Sequence, residues 1–89
     1  MDTEAIQQRK EECRRAVREY LANRPGLAFR PATVMGRLNL EADYRLEEVR
    51  DALVFLTDLG QAKVKEDGLG ATPYYQITST GTLAHERNQ

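Results

Sequence analysis

The groups in this chain best suited to chemistry are its thirteen Lys and Arg side chains, and the chemistry they suit is contact with a polyanion. Lys10, Arg14 and Arg18 recur at every fourth position, which aligns them along one flank of a helix. Thr33 and Arg37 are also four apart. Tyr44, Arg45 and Arg50 cluster at the start of a leucine-patterned segment, and Lys63 and Lys65 alternate with Ala62 and Val64. Charge runs on helices are usually solvated edges, and Glu11–Arg15 and Arg15–Glu19 are i,i+4 pairs. That plain account of the Lys10–Arg18 strip is preferred to a phosphate-contacting one.

Other chemistries find little support. One cysteine and one histidine, Cys13 and His85, fall short of a three- or four-ligand zinc site. Cys13 cannot form an internal disulfide and lies on an apolar stripe, where a small core residue is expected rather than a reactive thiol. No phosphate-cradling glycine loop, dinucleotide turn or nucleophile elbow is present. The carboxylates lie on exposed helical faces with no cleft to desolvate them. Neither an enzyme nor a metal or cofactor site is therefore expected. No apolar run approaches the ~18 residues of a membrane span, and the start, MDTEAIQQRKEE, is too polar for a secretory signal. A cytoplasmic location is the expectation.

The 89 residues make one domain, 40% hydrophobic. Residues 45–59 are predicted as its central helix, with Leu46, Val49, Leu53 and Leu56 at offsets 0, 3, 7 and 10 on one face. Its N-cap is Asp43, by side chain, or Tyr44, for which Glu47 would complete a capping box. Gly60 ends it as a left-handed residue. The period then changes to two. Strands are predicted over 61–66, with Ala62 and Val64 inward, and over 74–77, where Tyr74 and Tyr75 face opposite sides; residues 67–73 form the turn. Upstream, a helix over 3–22 buries Ile6, Cys13, Val17 and Tyr20, and Asn23–Gly26 breaks it. A short strand over 27–29 adds to the hairpin edge. Pro31 opens a helix over 31–38 in which Val34, Met35 and Leu38 point inward and Gly36 allows a close approach. Thr78 or Ser79 caps a last helix, 79–87, with Leu83 as its main apolar contact.

The succession of helix, short strand, PATVMGRLN helix, turn, RLEEVRDALVFLTDLG helix, QAKV and hairpin, ending in YYQITSTG, resembles the winged helix-turn-helix superfamily. YYQITSTG in particular is similar to the ending that closes the wing in MarR- and PadR-like small bacterial regulators. The resemblance spans residues 3 to 88. It implies an α+β winged helix: a three-helix core with a helix-turn-helix, a short first strand, a two-stranded wing and a short C-terminal helix. It also implies a transcriptional regulator that binds double-stranded DNA, with the third helix in the major groove. On that reading the DNA-contacting set is Thr33, Arg37, Tyr44, Arg45, Arg50, Lys63 and Lys65, with Arg14 and Arg18 on the backbone. A two-fold homodimer would be needed to read paired half-sites.

The residues depart from that pattern in two places. The side of the third helix opposite its leucines carries Tyr44, Glu47, Asp51, Val54 and Asp58, with Glu48 alongside, and carboxylates repel a polyanion. The wing tip is acidic at Glu66 and Asp67 and apolar at Leu69. Net charge is −1, divided between a basic half, residues 1–40 with eight basic and five acidic side chains, and an acidic half. The alternative is a protein–protein adaptor that does not read DNA and docks through Glu47, Asp51, Val54, Phe55 and Leu69.

Overall fold

A computed structural model describes residues 3–66 and 72–87. The order is α1 (Thr3–Ala22), β1 (Ala28–Phe29), α2 (Pro31–Leu38), α3 (Leu46–Asp58), β2 (Ala62–Lys65), β3 (Tyr74–Ile77) and α4 (Ser79–Arg87). The three strands form one antiparallel sheet in the order β1-β3-β2, with Ala28 opposite Gln76, Lys63 opposite Gln76 and Lys65 opposite Tyr74. The architecture is thus α+β, four helices with a small sheet.

One apolar core joins the layers. Cys13, Val17, Tyr20 and Leu21 of α1 meet Val34 of α2, Val49, Ala52, Leu53 and Leu56 of α3, and Ala62, Tyr75 and Ile77 of the sheet. Phe29 lays its ring edge-on to Tyr20 at 5.0 Å, which ties β1 to α1. The central stripe is shifted from its expected composition. Leu46 is half-buried at the open end of α3, while Ala52, too small to mark a stripe in sequence, is fully inside.

The helix ends follow local chemistry. Arg45, rather than Asp43 or Tyr44, is the N-cap of α3, and its N–H donates to the Glu48 carboxylate at 2.9 Å, so Glu48 takes the place expected of Glu47. At the far end Gly60 adopts φ +76°; its N–H bonds the Thr57 carbonyl and the Gln61 N–H reaches back to Leu56 at 2.8 Å, a Schellman closure. The turn between α2 and α3 is clamped by one side chain. Asn39 donates its amide N–H to the Tyr44 carbonyl and accepts the Tyr44 N–H, both at 2.8 Å.

Several expected contacts are not made. Ile6 is 44% exposed, because α1 runs about 30 Å and its first residues project past the core. Leu27 falls outside β1 and is exposed. Val64 shares the core side of the sheet with its partner Tyr75, yet it lies in the open edge strand and is 42% exposed. Gly36 faces open space. Leu83 does not anchor α4; it is half exposed. α4 is held instead by Thr78, which accepts the Gly81 N–H at 3.1 Å, donates its hydroxyl to the Gly60 carbonyl at 2.6 Å and bonds the Gln61 carbonyl through its backbone.

Candidate nucleic-acid interface

The basic strip on α1 divides among unlike surroundings. Arg14 stacks its guanidinium 3.6 Å above the Phe55 ring, so both residues are engaged with each other along the α1–α3 seam. Arg18 donates to the Gln61 side chain at 3.3 Å and is partly withdrawn from water, which lowers its pKa together with the charge of Arg15. Lys10 lines a cleft of about 350 Å³ between the two helices with Ile6, Cys13 and Asp51. The Cys13 thiol at its floor has its pKa pushed up to about 11, first by burial and then by the charge of Glu48, and so stays protonated at neutral pH.

Tyr44 does not project outward as expected. It packs half-buried against the core, with the Arg9 guanidinium 5.4 Å from its ring centre and burial raising the pKa of its hydroxyl. Arg9 is the residue that sequence reasoning passed over. Its Nε donates to Glu48 at 2.6 Å and its Nη2 to the same carboxylate at 3.0 Å, a two-point contact, while Nη2 also reaches the Asp43 carbonyl at 3.1 Å. Glu48 is therefore neutralised and leaves the outward set. The cue in the sequence is that Arg9 lies one turn before Cys13 on the α1 face that meets α3.

That pair makes a pH prediction. The Arg9 hydrogen bonds hold the Glu48 carboxyl below its ordinary value near 4.5. A carboxyl lowered in the folded state stabilises the fold above its unfolded pKa, and that contribution disappears as pH falls through the folded pKa. Glu48→Gln, which keeps the cap acceptor, should melt below the parent at pH 7. The two melting curves should converge in acid, as pH falls below 4.5 and through the lowered pKa of Glu48. A gap that persists unchanged at low pH would assign the loss to packing instead.

On the outward side of α3, Glu47, Arg50, Asp51, Val54 and Asp58 are all exposed, and Arg45 is exposed at its cap. Arg50, the arginine within the helix on that side, is flanked by carboxylates. Of the wing tip, Glu66 is exposed, while Asp67 and Leu69 lie outside the described residues.

The remaining candidates stand on α2 and on the outer face of the sheet, which meet at the contact of Arg30 with Tyr74. Burial of Tyr75 and Ile77 places Tyr74 and Gln76 on the outer face of the sheet, and the strand register puts Lys65 beside Tyr74 and Lys63 beside Gln76. Arg30, the N-cap of α2, sets its guanidinium 4.8 Å from the Tyr74 ring centre and so joins this face to α2. Arg30, Thr33 and Arg37 fall at offsets 0, 3 and 7, one side of that helix, and all three are exposed. No Asp or Glu occurs between Glu19 and Glu41, in Gln61–Lys65, or in Thr72–His85. Thr33 and Arg37 thus lie with Arg30 on a segment that contains no carboxylate, whereas Lys65 is followed directly by the exposed Glu66. Arg14, Arg18, Tyr44, Arg45 and Arg50 do not belong to that set.

Among the described residues no group of three or more potential metal ligands comes together, and no helix is long and apolar enough to cross a membrane. The chain matches no family model, no curated protein and no solved structure.

Proposed function

We propose that this chain is a winged-helix DNA-binding domain, a small transcriptional regulator, and that it grips duplex DNA with α2 and the outer face of the sheet rather than with α3. The winged-helix reading is supported by the element order and by β1 joining the free edge of the β2–β3 hairpin. The observation that carries the DNA reading is the Arg30 guanidinium over the Tyr74 ring, which brings the start of α2, the helix that bears Arg37, beside the sheet face that bears Lys63 and Lys65. Such side chains neutralise phosphates without reading bases, and the acidic stripe of α3 would be repelled from the groove.

Binding to a random-sequence duplex, followed by fluorescence anisotropy across a salt series, tests the proposal. With four cations engaged, log K against log salt should fall with a slope of about −3 to −4. Arg37→Glu with Lys65→Glu should abolish binding, while Glu47→Lys with Asp51→Lys should strengthen it. No binding at low salt, or retention of full affinity by the Arg37/Lys65 variant, rejects the reading. The exposed run Glu47, Asp51, Val54 and Asp58 supports a second one, docking of a protein partner on α3. In that case the Glu47/Asp51 reversal would instead destroy capture of the partner and leave DNA untouched.

A further inference from the structure

Resting on the DNA-binding reading above, we infer that the preferred ligand of the α2–sheet surface is DNA with an unpaired segment, an exposed base being laid against Tyr74 and Arg30. Tyr74 lies in the middle strand of the sheet, half-buried, with the exposed Arg30 guanidinium 4.8 Å from its ring centre. Lys65 is its neighbour across the strand pair, and Lys63 lies two residues along the same face, about 6.8 Å away. The Gln76 amide is on this face too, with its Oε1 shielded from water and without a hydrogen-bond partner.

The shape of the platform decides what it can take. In a duplex each base is covered above and below by its neighbours, and only its edges are open in the grooves. The major groove admits a helix or a two-stranded ribbon, and a ring borne on the middle strand of a three-stranded sheet does not reach a base stacked inside the duplex. An unpaired base offers its whole face, and aromatic rings and arginine planes are the surfaces on which such bases stack. Lys63 and Lys65 then meet the phosphates of that strand, and Thr33 and Arg37 meet the backbone of the adjoining duplex. Both kinds of DNA engage the cations, and only the unpaired base engages the ring.

Anisotropy titrations of the whole chain against a blunt duplex, the same duplex with an oligothymidine overhang, and free oligothymidine separate the two levels of the argument. The overhang should bind about tenfold tighter than the blunt duplex, the gain of stacking about one base. Tyr74→Ala should erase that excess, so that the variant binds the overhung and the blunt duplex equally, with the larger loss on the overhung one. Tyr74→Phe should keep the excess, and Lys65→Ala should weaken both ligands. If Tyr74→Ala does not fold, Arg30→Lys, which retains charge and loses the plane, should reduce the excess in its place. Equal affinity of the parent for blunt and overhung duplex, or an equal loss on both in Tyr74→Ala, overturns this inference and leaves the DNA-binding reading standing. Failure to bind any of the three ligands overturns that reading and the inference with it.

Discussion

Truncating Leu53 to alanine should remove about 3–5 kcal/mol of stability. Leu53 is fully buried at the middle of α3, the helix that packs on α1, on α2 and on β2. Every neighbouring element is anchored by its own hydrogen bonds or caps, so the site has little freedom to collapse around the missing atoms. At roughly 0.1 kcal/mol per residue a domain of this size holds on the order of 9 kcal/mol in all. The variant would thus lose between a third and somewhat more than a half of it. Thermal unfolding followed by circular dichroism should show a midpoint lower by on the order of 20 °C. Val54→Ala, one position along and 48% exposed, should stay within about 0.5 kcal/mol of the parent. A Leu53→Ala loss under ~1 kcal/mol would mean that this side chain is not at the centre of the core.

The second large effect has the opposite sign from what helix propensity gives. Gly81 lies in the first turn of α4, where alanine is ordinarily favoured by about 1 kcal/mol. A Cβ at this position would land on the backbone carbonyl oxygen of Gln61 and 2.6 Å from the Ile77 Cδ1. The oxygen belongs to main chain that already accepts the Thr78 N–H, so it cannot swing aside as a side chain would. Gly81→Ala should therefore destabilise the fold by a net ~2 kcal/mol, within the range of overpacked cores. Urea denaturation measures the size of the change. Hydrogen exchange at Gly81 and Thr82 should show α4 released first. A variant as stable as the parent would require α4 to sit farther from β2 than it does.

The contrast between these two sites shows how far the amino-acid pattern reaches. Leu53 is legible because a helix that buries one face must repeat its large apolar residues every three or four positions, and Val49 and Leu56 keep that rhythm. The strands are legible in the same way: Tyr75 and Ile77 alternate, and their burial follows. Gly81 is not legible, since close approach to Gln61 is a contact between segments twenty residues apart and leaves no mark on periodicity. The same holds for Ile6 and Leu83. Each has the right type for a core, but whether a partner reaches it depends on where neighbouring elements end.

The candidate interface was legible in part for a related reason. Thr33, Arg37, Lys63 and Lys65 stand on exposed faces that local periods assign correctly. Their gathering with Arg30 depends on Arg30 crossing to Tyr74, a tertiary contact. Sign of charge alone gave Glu48 to the outward face of α3. The neutralising Arg9 lies thirty-nine residues away, and its place one turn before Cys13 marks the face it is on but not the partner it meets. Tyr44 looked outward by helical projection from α3, but it precedes that helix, and its direction is set by the turn.

The paired hydrogen bonds between Asn39 and Tyr44 turn the joint between α2 and α3 into a bracket. The two helices must then pivot together, so any load taken up at Arg37 fixes the heading of Glu47 and Asp51 as well. On the proposed DNA-binding reading, a duplex seated on one arm of that bracket would face the carboxylates of the other at a set angle, a guide rail that orients it by repulsion.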